Sequence, residues 1–250
     1  MLKQLDFISP STYQTNFTRG FVDKPIAREH LESSFNFAFS MSFGNDGHQR
    51  NHRTGGNAKR KNGEIFINAF QGKVAEFAFY DWLKSYGIAV ELPDVSVMGK
   101  GFWDDSDFTV NGNKISIKSA AYFSNLMLLE TKDWDSDANY IPNIGTGNAS
   151  YDYFVLIRIK PDGKQLMKCN KLLNVDEVER VRLKNILRPA DWFADLTGFA
   201  TKSDLQFVIA NKHIIPQKAL LNGKIPMDTS NYYLQSGDLR PIAELVNLLI

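Results

Sequence analysis

The sequence has a single cysteine and no long apolar run, and each absence excludes a class of protein. Cys169 cannot form an intrachain disulfide, and no Cys/His cluster has zinc-ligand spacing. No uncharged run approaches the roughly 20 apolar residues that span a bilayer, and the first residues lack the apolar segment of a signal peptide. We therefore expect a cytoplasmic protein with no membrane partner.

Two common catalytic motifs are also missing. The chain has no Gly-x-Ser-x-Gly, which argues against a serine hydrolase of the nucleophile-elbow type. It has no phosphate-binding P-loop either, because Gly72-Lys73 is followed by Val74 where the motif requires Ser or Thr. Any hydrolytic chemistry must therefore come from another arrangement of side chains.

Basic and acidic residues are nearly equal in number, but they are unevenly distributed along the chain. The chain has 29 basic and 28 acidic residues, and the net charge of +1 argues against capture of nucleic acid by bulk charge. Between Asp46 and Glu64, however, there is no acid, and this segment carries His48 and His52 with Arg50, Arg53, Lys59, Arg60 and Lys61. It is either a clamp for a phosphate backbone or a solvated surface loop.

The periodicity of apolar residues predicts a mixed α/β (α+β) chain. Helical spacing with no internal proline predicts a helix over 64–86, and the apolar run 153–160 predicts a central strand buried on both faces. The segment 35–43 fits either a strand or a helix. Further patterns indicate strands at 88–92 and 232–235, and helices over 176–187, from Ser203-Asp204 to about 212, and from Pro241 to about 250.

The segment 104–118 contains the most informative pattern. Asn111-Gly112 between two alternating runs is the strongest short-range signal for a β-hairpin. This register places Asp107 opposite Ser116 and Asp105 opposite Lys118. Because side chains alternate along a strand, Asp107, Ser116 and Lys118 share one face. Asp107 and Lys118 are then diagonal neighbours, roughly 7–8 Å apart at Cα.

An aspartate beside a lysine on a half-buried face has two interpretations. The carboxylate can bind a divalent cation while the ammonium orients a water or stabilises an oxyanion. The pair can also be a simple cross-strand ion pair. The residues alone leave both open.

The predicted helix 64–86 adds a third charged candidate. Glu76 interrupts a stripe of small and apolar residues, Ala69, Gly72, Phe79 and Leu83. Because a buried carboxylate requires a partner, Glu76 would face a metal or the basic groups of the hairpin. The alternative is a surface position with Lys73 or Lys84 as its neighbour.

These residues resemble the PD-(D/E)xK nuclease superfamily, and most closely its type II restriction endonucleases. The matching segments are Gly72–Phe77, Asp105–Phe108 and Ile115–Ser119, followed by the core strand 153–159. The resemblance covers about 100 residues, and it depends more on the order and spacing of the motif residues than on the identities of the residues between them. It implies a central mixed β-sheet flanked by helices, a Mg²⁺-dependent phosphodiesterase site and a double-stranded DNA substrate.

Under this resemblance each candidate residue has a role. Asp107 would be the central metal ligand, Lys118 would orient the attacking water, and Glu76 would be the helical acid. The second acid of the family is replaced by Ser116, and Glu130 or Glu76 would supply the missing metal ligand. The DNA-contacting residues would be Ser116, Ser119, Arg50, Arg53, Lys59, Arg60 and Lys61.

The leading hypothesis is therefore a Mg²⁺-dependent, sequence-specific DNA endonuclease that acts as a homodimer, because palindromic sites match two-fold symmetry. A partner methyltransferase is implied by the resemblance alone. We expect an N-terminal arm (1–62), a nuclease-like core (63–165) and a C-terminal lobe (166–250) in one compact unit. Alternatives are a structure-specific repair or junction nuclease, a non-catalytic DNA-binding module, and an interaction protein whose polar hairpin face is solvated.

Overall fold

The computed structural model describes residues 2–44, 60–96, 106–146 and 148–250. Six α-helices lie in these ranges: α1 (Arg28–Phe43), α2 (Asn62–Ser85), α3 (Gly163–Cys169), α4 (Arg180–Leu187), α5 (Lys202–Ala210) and α6 (Ile242–Leu249). The strands are β1 (Asp6–Ser9), β2 (Thr12–Gln14), β3 (Lys24–Pro25), β4 (Phe108–Val110), β5 (Asn113–Ala121), β6 (Leu126–Glu130), β7 (Tyr153–Lys160), β8 (Phe193–Thr201), β9 (Ile214–Ile215), β10 (Leu220–Leu221), β11 (Ile225–Pro226) and β12 (Asn231–Gln235). None of the helices in these ranges is long and apolar enough to cross a membrane.

The predicted mixed sheet flanked by helices is confirmed. Its five strands lie in the order β3-β8-β7-β5-β4. β5 runs parallel to β7, whereas the hairpin β4-β5 and the pair β7-β8 are antiparallel. β7 lies in the middle of this sheet and its residues 154–159 are all buried, as the apolar run predicted.

The two faces of this sheet pack against different layers. Ile115, Val155 and Ile157 face the long helix α2 and belong to the largest apolar cluster. Phe154 and Leu156 alternate to the other face, where they pack with residues of β6, β12 and α5. Any side chain on β5 can therefore be assigned to one layer or the other by its register with β7.

Two smaller sheets complete the fold. A three-stranded sheet, in the order β6-β12-β9, covers the Phe154 face of the central sheet. A four-stranded sheet, β1-β2-β10-β11, combines the start of the chain with its C-terminal part. The arm that follows β2 is held by Gln235, whose fully buried side chain accepts hydrogen bonds from the backbone N–H groups of Asn16 and Phe17 at 3.0 and 3.1 Å.

Three predicted elements are settled or corrected. The segment 35–43 is helical and ends α1. The strand predicted at 88–92 is wrong, because no strand in the described ranges pairs with this segment. The helix predicted from 176 begins only at Arg180, because Val175 and Asp176 instead accept hydrogen bonds from the first residues of α2.

Candidate active site

The hairpin forms in the predicted register. Phe108 pairs with Ile115 and Val110 with Asn113, with Asn111-Gly112 as the connecting turn. Both turn residues have positive φ, +48° and +82°, as a two-residue hairpin turn requires. This register fixes the neighbours of Asp107, the residue that precedes β4.

Asp107 is held by β5. Its Oδ2 accepts a hydrogen bond from the backbone N–H of Ile117 at 2.6 Å and another from Oγ of Ser116 at 3.3 Å. Ser116 is buried, with 3% of its surface exposed. Ser116 and the backbone of Ile117 therefore orient the Asp107 carboxylate, which sequence reasoning did not predict. Within the described part of the chain, Oδ1 of Asp107 accepts no hydrogen bond and is available to a ligand.

Lys118 is partly buried on the same strand, two residues after Ser116. Burial lowers the pKa of its ammonium, and the charges of Asp107 and Asp133 raise it without offsetting the burial. Lys118 makes no hydrogen bond and no ion pair to another residue in the described ranges. A desolvated lysine of this kind can orient a water or stabilise a developing negative charge. Asp105, which the register places opposite Lys118, lies outside the described residues.

Asp133, which sequence reasoning missed, is the second acid whose charge acts on Lys118. It ends the single 3₁₀ turn Thr131–Asp133 that follows β6. The next residue, Trp134, packs its ring edge-on against Phe154, with 5.3 Å between the ring centroids. Phe154 lies beside Ser116 in the sheet. No local sequence signal marks Asp133, because its position depends on this long-range contact.

A cavity of about 400 Å³ lies beside β5. Residues 117–120 of β5 line it, so that Lys118 and Ser119 share it with Glu130 at the end of β6. Ser124, Asp228 and Asn231 complete its polar lining, and none of them was predicted as a site residue. The structure therefore brings Lys118, Ser119 and Glu130 to one cavity, whereas Asp107, Ser116 and Glu76 are not among its lining residues. Glu130 also pairs with Lys132 at 3.5 Å.

Glu76 lies in a different environment. Nζ of Lys73 donates a hydrogen bond to Oε2 of Glu76 at 2.5 Å, and the two side chains are 7% and 16% exposed. The Lys73 ammonium also lies 4.7 Å from the centre of the Phe37 ring on α1. α2 covers the Ile115 face of the sheet, whereas Ser116 and Lys118 alternate to the other face. Glu76 thus has the lysine neighbour that we considered as the alternative, but in a partly buried position instead of on the surface.

The predicted DNA-contacting segment is only partly described. Arg50, Arg53 and Lys59 lie outside the described residues. Lys61 precedes α2, and its half-exposed ammonium pairs with Asp176. Neither Arg60 nor Lys61 lines the cavity beside β5.

The described residues near Lys118 offer few carboxylates to a metal ion. In the described ranges no three His, Cys, Asp or Glu side chains are grouped closely enough to hold a metal. Mg²⁺, however, is commonly held by one or two carboxylates, with waters and substrate phosphates as its other ligands. Asp107 has a carboxylate oxygen without a hydrogen bond in the described ranges, and the charge of Asp133 also acts on Lys118.

Comparisons with known proteins give no family for this chain. A scan against protein-family models found no match, and searches of curated proteins and of solved structures found none either. The functional conclusion depends on the geometry above.

Proposed function

We propose that the chain is a Mg²⁺-dependent endonuclease that hydrolyses phosphodiester bonds of double-stranded DNA, with Asp107 and Lys118 at its centre. One observation carries the proposal. Ser116 and Ile117 of β5 orient the Asp107 carboxylate through two hydrogen bonds. Lys118, two residues after Ser116, is desolvated and forms no ion pair with another described residue. An aspartate and a lysine so placed are the core of the nuclease motif that the sequence resembles.

The roles of the residues follow from the demands of phosphodiester hydrolysis. The enzyme must activate water and stabilise negative charge at the phosphorus and the leaving oxygen, together worth up to roughly 20 kcal/mol. Lys118 would orient the attacking water, and its lowered pKa eases transfer of a proton. Asp107 would hold Mg²⁺ through Oδ1, because Ser116 and Ile117 keep its other oxygen in place. Bound Mg²⁺ would supply Lewis-acid stabilisation of the phosphate charge.

The substrate is proposed from the basic segment 50–61 and from the resemblance. The basic side chains of this segment would contact the DNA phosphate backbone: Arg50, Arg53, Lys59, Arg60 and Lys61. Ser119 would contact the DNA strand that lies next to the cavity. Within the enzyme class we favour sequence-specific cleavage by a two-fold dimer, in a cytoplasmic restriction–modification system. The structure-specific nuclease and the non-catalytic DNA-binding module are the alternatives that the experiment must separate.

The experiment is incubation of the purified protein with bacteriophage DNA, supercoiled plasmid and a four-way DNA junction, each with MgCl₂ or with EDTA. We expect discrete bands from the linear DNA in MgCl₂ and intact DNA in EDTA. Cleavage of the junction alone would favour the structure-specific nuclease. Binding of DNA without cleavage would favour the non-catalytic module, and cleavage in EDTA would contradict the proposed metal dependence.

A further inference from the structure

Another cavity, of about 460 Å³, lies between the start of α1, the end of α4 and the segment 189–192 that precedes β8. We call it the α1–α4 cavity. Its buried lining residues belong to the apolar cluster on the α2 face of the central sheet, whereas Lys118 lies on the other face. None of its lining residues lines the cavity beside β5. The two cavities are therefore separate, and a ligand of the α1–α4 cavity is independent of the proposed nuclease function.

The floor of the α1–α4 cavity is apolar and largely aromatic. Phe35, Phe70, Leu187 and Trp192 line it, and each is at most 3% exposed. The rings of Phe70 and Trp192 meet edge to face, with 4.9 Å between their centroids. The indole N–H of Trp192 donates a hydrogen bond to the backbone carbonyl of Leu187 at 3.1 Å, and none of the charged side chains that line the cavity is buried. The part of a ligand that reaches this floor must therefore be apolar, and an aromatic ring fits it best.

Contacts between α1 and α4 hold this cavity in shape. Nζ of Lys184 donates a hydrogen bond to Oε1 of Glu32, and Nη2 of Arg180 donates one to Oδ1 of Asn36 at 2.6 Å. Pro189 comes directly after the last turn of α4, where a proline ends a helix, and so directs the chain toward β8. The volume lies within the range of about 300–1,000 Å³ that is typical of small-molecule sites. The cavity is thus preformed and has the size of a ligand site.

Two guanidinium groups at the rim of the cavity indicate an anionic head group. Arg28 and Arg188 are exposed, and neither side chain makes a hydrogen bond or an ion pair with another residue in the described part of the chain. A guanidinium can bind a carboxylate through two parallel hydrogen bonds. Ala27, the cap residue of α1, offers no side-chain hydrogen bond, so the N–H groups of the first turn add positive potential at the same rim.

Acidic residues at the rim limit the charge that the ligand can carry. Glu32 is neutralised by Lys184, whereas the side chains of Glu29 and Asp191 make no hydrogen bond or ion pair with another residue in the described ranges. The rim thus carries three basic and three acidic side chains. A ligand with several negative charges would be repelled by Glu29 and Asp191, whereas a single carboxylate can bind the guanidinium groups. These charges favour a monoanion.

We propose that the α1–α4 cavity binds a small aromatic carboxylate with a single negative charge. Its ring would lie on Phe70 and Trp192, and its carboxylate would accept hydrogen bonds from Arg28 and Arg188. The apolar floor selects the aromatic body, and the unpaired guanidinium groups at the rim select the sign of the charge. Because the cavity lies on the face of the sheet that α2 covers, this ligand is distinct from the DNA substrate proposed for Lys118.

The test is isothermal titration of the purified protein with 2-naphthoate, 2-naphthol and 2-naphthylmethylamine at pH 7, which combine one ring system with a negative, a neutral and a positive group. We expect 2-naphthoate to bind at a single site and at least about threefold more tightly than the other two, as ion pairs at an exposed rim allow. Arg188→Gln should weaken binding of 2-naphthoate at least about threefold and leave binding of 2-naphthol unchanged. Arg182→Gln, the matched control at an exposed position of α4, should change neither.

A second variant tests the location of the ligand. Ala190 lines the cavity and is partly buried, so Ala190→Leu should narrow the cavity and weaken binding of all three compounds. Thermal unfolding of each variant checks that it is folded. Binding of 2-naphthoate that neither Arg188→Gln nor Ala190→Leu changes would place the ligand elsewhere and overturn the proposal. Tighter binding of 2-naphthylmethylamine than of 2-naphthoate would overturn the anionic head group, and no binding of any of the three by the folded wild type would overturn the site.

Discussion

Arg158 gives the sharpest prediction about stability, because it is a fully buried charge on β7, the middle strand of the central sheet. It is 1% exposed, and it donates hydrogen bonds from Nε and Nη2 to Oδ2 of Asp195 at 2.8 and 2.5 Å. Asp195 is 4% exposed. The guanidinium also donates to the backbone carbonyls of Arg19 at 3.1 Å and Gly20 at 2.6 Å, and so holds the N-terminal arm. We take Arg158→Met as the perturbation, since methionine keeps much of the length and removes the charge.

The expected loss follows from the charge that remains. Arg158→Met leaves the Asp195 carboxylate buried, with the hydroxyl of Thr197 at 2.8 Å as its remaining side-chain donor. Breaking a buried ion pair from one side typically costs about 3–5 kcal/mol. Since a folded domain is stable by about 5–15 kcal/mol in all, this is a large part of the free energy of unfolding. The midpoint of urea unfolding should fall by on the order of 1 M.

The assay is urea unfolding followed by tryptophan fluorescence, with a double variant and a matched control. Arg158→Met combined with Asp195→Leu should be less destabilised than Arg158→Met alone, because no unpaired charge remains in the core. Arg182→Met, on an exposed position of α4, should change the free energy of unfolding by less than about 0.5 kcal/mol. A loss below about 1 kcal/mol for Arg158→Met, or a double variant less stable than the single one, would refute the reasoning.

Four further predictions concern Lys118, the Glu76–Lys73 ion pair and the hairpin turn. Burial lowers the pKa of Lys118. In reductive methylation followed by mass spectrometry, Lys118 should therefore be half modified at a lower pH than the exposed Lys168. Equal half-modification pH values for the two lysines would contradict the desolvation of Lys118. Because the folded state then binds fewer protons than the unfolded state between the lowered and the ordinary lysine pKa, wild-type stability should rise with pH in that window relative to Lys118→Met. Glu76→Gln should cost about 1–3 kcal/mol in urea unfolding because it leaves its lysine partner buried without a carboxylate, and an unchanged midpoint would mean that the pair is not formed in solution. Gly112→Ala should lower the free energy of unfolding by about 1–2 kcal/mol, because the φ angle of Gly112 is +82°. Gly145→Ala should leave the thermal midpoint unchanged, because no atom lies near the position of an added Cβ. Equal effects of the two substitutions would contradict the turn geometry.

The elements that could be predicted are those whose signals are local. The hairpin is specified by Asn111-Gly112 and by the alternation on each side of it, and α2 by its uninterrupted helical spacing. The apolar run of β7 indicated both its strand and its central position. In each case a few neighbouring residues determine the backbone, so the register that places Asp107 beside Ser116 could be derived before the structure.

The elements that were missed depend on distant partners. β8 contains Asp195 and Gly198 and shows no simple alternation, since it is buried on both faces and its aspartate is neutralised by Arg158 from the neighbouring strand. Asp133 has no periodicity or motif of its own, and only the folded chain brings its charge within reach of Lys118. The ion pair of Glu76 with Lys73 is, by contrast, a local contact that could be predicted from the sequence, because the two residues are i, i+3 neighbours on one helix.

The most direct test of the proposed active site is the single-turnover rate of DNA cleavage in MgCl₂ for Asp107→Asn and Lys118→Met. Asp137→Asn and Lys168→Met are the matched controls, since both residues are exposed and outside the site. General acid–base groups contribute about 10²–10⁴-fold to a rate, so we predict a loss of at least about 100-fold for Lys118→Met. We expect a comparable loss for Asp107→Asn and wild-type rates for both controls. Cleavage at wild-type rates by both site variants would show that the hairpin is not the active site.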